Sequence, residues 1–397
     1  MRRFTQVLTI VLVLGVAAQT SRASWGDLDA TFGFLGGVVD TNAASHYPYG
    51  LAVQPDGKIL VTGYRLVSGK RRFFLRRYLS NGQVDTSFGN NGSAISYALI
   101  IVNADYYGQK IVVQDNGRIA VSGIGNNVPV VWRFHSSGYA DTAFGGGGMK
   151  SLSTYESYYP SIATYSNILY VGVVEEGTQS TVILKFNSNG TQDTSFGSSG
   201  EALTGADGRG FSMAAEPSTG NILIGARQLN TTGYGVQRFL PTGLVDSTFD
   251  NFGATYNGYV GYYPTQFVTH SDGRFTMNQR SLNLGGMLTI FADLVHLSSN
   301  GTATGTTPYE PLESVPYLTG SCPDIMALQQ DGRLVVKGLN NDELFRFSTD
   351  FASVNTMTCS SYANLGYPRS PAVLQSDDKM IAAGTYNGYL AMLRTLP

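Results

Sequence analysis

Five tyrosines recur in short segments rich in Tyr, Pro and Gly, reading "SHYPYG", "ADYYGQ", "ESYYPS", "VGYYPT" and "LGYPRS". They are Tyr47, Tyr107, Tyr159, Tyr263 and Tyr367. Tyr47, Tyr107 and Tyr263 each stand ten residues before a turn glycine, Gly57, Gly117 and Gly273, and the other two hold nearby positions. A tyrosine has a flat apolar body and a polar tip. That combination can stack on a sugar ring, or anchor a protein partner, while the hydroxyl makes a hydrogen bond. The same rings can instead pack between neighbouring elements or against the adjacent prolines. The one basic block, Lys70-Arg71-Arg72, falls in a loop expected on the same rim.

Other chemistry finds little support. The four histidines, His46, His135, His270 and His296, fall at different phases of the repeat described below, so they are not expected to converge on one axis. Nucleophilic catalysis needs Ser or Cys beside His, and neither HExxH nor GxSxG occurs. "SDDK" at Ser376 fits SxxK, but it aligns with the turn "PDGK" at Pro55. Each Asp-Gly turn offers one carboxylate, against the six to eight oxygens calcium takes. No catalytic residue, metal or cofactor is assigned. A nucleic-acid partner wants a concentrated basic surface, and the chain carries a net charge of −2.

These residues sit on a repeat. "DATFG" at Asp29 returns as "DTSFG" at Asp85, "DTAFG" at Asp141, "DTSFG" at Asp193 and "DSTFD" at Asp246, at spacings of 56, 56, 52 and 53. Each later copy follows a short turn such as "LSNGQV" and an apolar strand with a basic residue, such as "FFLRRY". A hairpin of the form "LAVQPDGKILVTG" fills the rest of the unit, and seven such hairpins can be counted. A unit of this size with three or four short strands suits one blade of a β-propeller. The fold class expected is therefore all-β, a seven-bladed β-propeller. Phe32, Phe88, Phe144, Phe196 and Phe249 recur once per unit and read as wedges between blades. The Asp heading each phrase is suited to bond nearby backbone in a turn.

The two ends complement each other. The last unit stops at "YLAMLRTLP", lacking its fourth strand, while "LDATFGFLGGVVDT" stands at the other end without a hairpin of its own. The N-terminal strand is expected to complete the last blade. An open solenoid would gain nothing from such complementary truncation. The expected blades are 47–102, 103–156, 157–206, 207–257, 258–310, 315–364, and 367–397 joined by 27–41, forming one domain over 24–397.

Residues 1–23 read as a signal peptide: Arg2 and Arg3, an apolar run too short to cross a bilayer, then Ser21-Arg22-Ala23. Cleavage is expected before Ser24. The protein is then secreted, periplasmic or at the cell surface, with no membrane anchor. Cys322 and Cys359 are two thiols, not a zinc motif. In an exported chain they are a disulfide candidate worth roughly 4 kcal/mol on the chain-entropy model; two separate buried thiols are the alternative.

The pattern "LAVQPDGKILVTG" followed by "FLRRYLSNGQVDTSFGNNG", within 51–92, resembles the delta-60 repeat family of exported repeat proteins. That resemblance implies a propeller and carries no reaction or functional residues. The function expected is a non-enzymatic binding or scaffold protein, monomeric, holding a glycan or a protein on its tyrosine-rich rim. The alternatives are an extracellular propeller hydrolase or lyase, or a structural envelope component without a small ligand.

Overall fold

A computed structural model gives the structure of residues 25–94, 104–178, 180–228, 234–250, 266–283, 289–310, 326–337, 343–358 and 372–397. The signal segment, Tyr263, Tyr367, Cys322 and Cys359 lie outside the described residues. Every regular element among the described residues is a β-strand. In chain order, β1 (Gly37–Ala44) precedes blade 1, made of β2 (His46–Val53), β3 (Ile59–Val67) and β4 (Lys70–Tyr78). Blade 2 holds β5 (Tyr106–Val113), β6 (Ile119–Gly125), β7 (Val128–Phe134) and β8 (Met149–Ser151). Blade 3 holds β9 (Tyr155–Tyr165), β10 (Ile168–Glu175) and β11 (Ser180–Phe186). The long β12 (Glu201–Ala215) closes blade 3 and opens blade 4, which continues with β13 (Ile222–Gln228) and β14 (Tyr234–Phe239). Blade 5 holds β15 (Gln266–Thr269), β16 (Phe275–Asn283), β17 (Thr289–Leu297) and β18 (Ala303–Glu310). Blade 6 holds β19 (Met326–Leu328), β20 (Leu334–Lys337), β21 (Glu343–Phe347) and β22 (Val354–Thr358). Blade 7 holds β23 (Ala372–Leu374), β24 (Met380–Tyr386) and β25 (Tyr389–Thr395).

The chain divides into two compact units: 1–94 with 319–397, and 95–318. In the first, the N-terminal strand completes the last blade. β1 pairs antiparallel with β25, Gly37 opposite Leu393 and Asp40 opposite Leu390, in the order β1-β25-β24-β23. The middle strands read as continuous apolar runs because both faces are covered; all seven residues of β6 are buried. In the first unit one core joins blades 7 and 1 through Phe32, Ile59, Val61, Phe74, Tyr78, Ile381 and Met392. In the second, cores join blades 2 and 3, 3 and 4, and 4 and 5.

The repeated Asp has two tasks, one per oxygen. Oδ1 accepts from the backbone N–H and hydroxyl two residues on, as in Asp85 with Ser87, Asp193 with Ser195 and Asp246 with Thr248. That is the expected turn chemistry. Oδ2 accepts from the basic residue of the preceding strand: Arg77 to Asp85 at 2.8 Å, Arg133 to Asp141 at 2.8 Å, Lys185 to Asp193 at 2.9 Å, Arg238 to Asp246 at 2.9 Å, and Arg394 to Asp29 at 2.9 Å. The cation lies over the wedge phenylalanine of its own unit. The guanidinium carbon is 4.3 Å from the ring centroid at Phe88 and Phe144, 4.5 Å at Phe249 and 4.7 Å at Phe32. A desolvated cation over a ring face is stabilised by the ring quadrupole.

The clasp also reaches the next blade. Arg394 donates to the Ser80 carbonyl of blade 1 at 2.7 Å, Arg133 to Ser188 of blade 3, and Arg238 to Ser299 of blade 5 at 3.2 Å. Each phenylalanine slides under the turn glycine of that neighbour. A Cβ at Gly82 would stand 2.9 Å from Phe32, at Gly190 2.8 Å from Phe144, and at Gly301 2.6 Å from Phe249. These glycines also have φ near +87°, +81° and +89°, so they serve close approach and backbone shape together.

A second ionic cluster locks β1 to blade 1. Asp40 accepts from the Tyr78 hydroxyl at 2.8 Å and from Arg76 Nη2 at 2.6 Å, and Arg76 Nη1 donates to Ser93 at 2.7 Å. All three principals are buried. Burial first, and then the Asp40 carboxylate, push the Tyr78 phenol well above its ordinary range.

Removing one partner of a buried ion pair leaves the other charge stranded, which costs about 3–5 kcal/mol. Asp85→Ala is expected to cost that much by urea unfolding. Asp193→Ala, whose Lys185 pair is partly exposed, is expected to cost about 1–2 kcal/mol. Equal losses, or the reverse order, would remove the clasp from its structural role.

Candidate functional site

The segments of Tyr47, Tyr107 and Tyr159 lie in strands. Tyr47 sits inside β2 opposite Tyr64, and Tyr107 inside β5 opposite Ile124. Both precede a bulge, between Pro48 and Gly50 in one blade and between Gly108 and Lys110 in the other. The bulge needs a glycine across the ladder: a Cβ at Gly63 would lie 2.0 Å from the Tyr47 carbonyl oxygen, and one at Gly123 2.1 Å from that of Tyr107. Tyr47 and Tyr107 are half-buried, and Tyr159 is 60% exposed within a wider bulge of β9. The structure therefore describes three of the five candidate rings.

In blade 1 the ring has companions. Tyr47 stacks on Tyr64 with centroids 4.9 Å apart and planes 17° apart. Tyr49, in the bulge, leans on Tyr64 at 5.6 Å, and the Arg71 guanidinium stands 5.3 Å from the Tyr64 ring. The result is a ridge of planar groups with phenol hydroxyls and a guanidinium at its edges. Tyr64 escaped the sequence analysis, although it follows Gly57 by seven residues as Tyr47 precedes it by ten, which places the two across one hairpin.

The ridge stands at the base of a long hairpin. β3 and β4 pair over nine positions, from Ile59–Tyr78 to Val67–Lys70, whereas β6–β7 and β24–β25 pair over seven. The extension exposes Leu66 and Val67 and carries Arg65, Lys70, Arg71 and Arg72. Near its tip the Leu66 N–H donates to the Ser45 carbonyl at 3.0 Å.

Two histidines meet, but within one blade rather than on an axis. In blade 5, His270 Nε2 lies 2.7 Å from the buried Thr276 hydroxyl, and His296 Nδ1 lies 3.3 Å from the same oxygen. His296 holds the repeat position of Arg77 and His270 that of Gln54; Thr304 replaces the Asp. Burial first, then the charges of neighbouring His270 and Arg274, push His296 down to about 4. His46, at the start of β2 in blade 1, is likewise pushed down to about 4, by burial foremost and also by Arg76 and Arg65. Among the described residues, no group of three or more His, Cys, Asp or Glu is placed to hold a metal ion.

A family described as a domain of unknown function (DUF5122), beta-propeller, matches residues 54–88 and 167–196. No curated protein matches the chain. Among solved structures, a catalytically inactive virginiamycin B lyase from Staphylococcus aureus with quinupristin superposes at TM-score 0.55 and 10% identity, over 91% of this chain and 98% of that one. Hydrazine synthase of Kuenenia stuttgartiensis gives 0.54 and 12%, over 90% and 97%. A streptogramin B lyase gives 0.51 and 12%, over 90% and 96%. At these identities the likeness concerns fold alone. The chain is an all-β, seven-bladed β-propeller whose N-terminal strand completes the last blade.

The depressed histidines have a consequence for pH. Their folded-state values lie below the ordinary 6.5, so the unfolded chain takes up protons first as pH falls. Their contribution is complete above about pH 6.5 and is lost between there and about pH 4. The urea midpoint is expected to drop across that window, His46 alone accounting for roughly 3 kcal/mol. His46→Gln and His296→Gln should each flatten the slope. A midpoint unchanged from pH 7 to pH 4.5 would overturn the assignment.

Proposed function

We propose that this propeller is an exported, non-enzymatic binding protein that recognises a glycan through the tyrosine ridge of blade 1. The Tyr47–Tyr64 stack, with Arg71 beside it, carries the reading. Tyrosine rings at a partly exposed strand end offer apolar faces to the C–H surface of a sugar, and their hydroxyls can exchange hydrogen bonds with ring substituents. A rigid scaffold limits the ordering cost of binding, and the bulge, the Gly63 approach and the Leu66–Ser45 bond supply one here. Tyr107 repeats the bulge and the glycine approach in blade 2, opposite Ile124, and Tyr159 exposes a further ring in blade 3. Tyr263 and Tyr367 extend the same reading by sequence.

Export is part of the proposal and rests on the basic start, short apolar run and Ser21-Arg22-Ala23. The two lyases similar in fold are, by their names, a virginiamycin B lyase and a streptogramin B lyase; nothing at the ridge transfers such a reaction to this chain. The test is a glycan array with the mature protein, repeated with Tyr47→Ala and Tyr64→Ala. Wild-type binding should fall about tenfold or more in each variant, the usual effect of truncating an aromatic anchor. Binding unchanged in both variants, or absent in the wild type, refutes the reading.

A further inference from the structure

Blade 6 departs from the clasp at one atom. In four clasps an arginine Nε donates to an aspartate Oδ2: Arg77 to Asp85, Arg133 to Asp141, Arg238 to Asp246 and Arg394 to Asp29. Each aspartate stands across the ladder from its arginine, its own N–H donating to that arginine's carbonyl. In blade 6 the arginine is Arg346, and the residue paired with it is Asn355. The turn there is one residue longer, closing at Phe347–Val354 where blade 1 closes at Tyr78–Val84. Register, not a count of eight, therefore identifies the counterpart. Asn355 is neutral and exposed, whereas Asp29, Asp85, Asp141 and Asp246 are all buried.

Arg346 has other neighbours. Trp25 lies 4.5 Å from its guanidinium carbon, in the role of the wedge phenylalanine. Burial first, then the charge of Arg333, push Arg346 below its ordinary range; Asp331 draws it the other way but is held by Arg333. Asp350 is turned into its own loop, accepting from the Ser348 hydroxyl and the Ala352 N–H. What Arg346 lacks is an acceptor at Nε. That nitrogen is buried and has no hydrogen-bond partner among the described residues. Gln329 shows the same deficit. It follows its strand as Gln54 and Gln375 follow theirs, and those two stand 3.5 and 3.4 Å from Nη1 of Arg77 and Arg394. Gln329 is only 3% exposed, yet neither Oε1 nor Nε2 has a partner among the described residues. Buried polar groups are almost always paired. Here a guanidinium N–H and an amide at one clasp both lack a partner, and both can donate to an anion.

We propose that blade 6 binds a small free carboxylate, the size of acetate, at Arg346 Nε and the Gln329 amide. The group that the clasp lacks is the CH2–COO⁻ end of an aspartate, and acetate has that shape and charge. A planar guanidinium matches a planar carboxylate better than a spherical anion. Val354, at the mouth of the turn, is 48% exposed, and Asn355 beside it is exposed too, so this ladder position is open to solvent. The site is in a different blade from the tyrosine ridge and does not rest on the glycan reading.

The test is titration of the mature protein at pH 7 with acetate, chloride and sulfate at constant ionic strength, read by tryptophan fluorescence and by thermal midpoint. The chain has two tryptophans, and Trp132 is fully buried in blade 2, so a ligand-linked change reports on Trp25. Acetate should give a saturable change and raise the midpoint with occupancy. Chloride and sulfate should bind about tenfold more weakly or less. Arg346→Gln should weaken acetate binding about tenfold or more, and Gln329→Leu about fivefold, the scale of a charged and a neutral hydrogen bond. Asn355→Asp places a carboxylate opposite Arg346 within the chain. It should raise the midpoint without acetate and abolish the response to acetate, which separates lost binding from lost folding. Tyr47→Ala should leave acetate binding unchanged. Equal responses to all three anions, no saturable response to acetate, or acetate binding retained in Arg346→Gln or Asn355→Asp would each overturn the site, and none of them bears on the glycan array.

Discussion

One arrangement recurs wherever the repeat is regular: a strand cation over a phenylalanine, held by an aspartate that stands eight residues ahead in four units and, for Arg394, at the other end of the chain as Asp29. Each part solves a problem created by another. A guanidinium buried between blades would be costly alone. Asp Oδ2 neutralises it, the ring accepts its face, and a carbonyl of the next blade takes a remaining N–H in the pairs 394–80, 133–188 and 238–299. The aspartate in turn is held by its own turn. Burial would raise Asp29, Asp85 and Asp246, but the Thr or Ser bonds and the arginine outweigh it and keep them below the ordinary carboxylate range. The phenylalanine then fills space only a glycine turn leaves open. Changing one residue strands the others.

The irregular units support this. In blade 5 the cation position is His296, the glutamine position is His270, and the aspartate position is Thr304. A buried hydroxyl, Thr276, bridges the two imidazoles. With both rings held neutral, no counter-ion is needed, and the loss of the aspartate is matched by the loss of the fixed charge. Lys185 in blade 3 is an intermediate case. As a compact ammonium it stands 5.8 Å from the Phe196 ring, and its pair with Asp193 is partly wet. Blade 6 keeps its cation without a phrase to hold it. There Trp25, from the N-terminal segment, lies 4.5 Å from the Arg346 guanidinium. The segment that completes blade 7 thus also covers the charge of blade 6.

Much of this was legible in the sequence because it rests on local spacing. The alternation around "PDGK", the recurrence of Asp-x-x-Phe and the complementary ends were sufficient for the blades and for the pairing of β1 with β25. The roles of Phe32, Phe88, Phe144, Phe196 and Phe249 as wedges followed from one ring per unit, and all five are buried. The Arg–Asp pair was missed, although both residues recur at fixed separation, since turn chemistry already accounted for the aspartate and only one of its oxygens. The His270–Thr276–His296 contact was missed because its members stand 6 and 20 residues apart and meet only through strand register. Tyr64 was missed for the same reason. Register, unlike period, depends on bulges such as the one at Tyr49, which shift the partner by one residue without leaving a mark in composition.

The clasp also explains where variation concentrates. Where present, it acts at one end of the sheet, near the turns at Gly57, Gly117 and their equivalents, where Gln54 and Gln375 lie within 3.5 Å of the clasp arginines. The far end of the sheet lies seven or more residues away along the strands. Hairpin length is free to change there, and it does, from nine pairs in blade 1 to six between β10 and β11. A fold secured at one end can tolerate at the other what a core would reject: exposed Leu66 and Val67, a bulged Tyr49, and arginines set opposite each other.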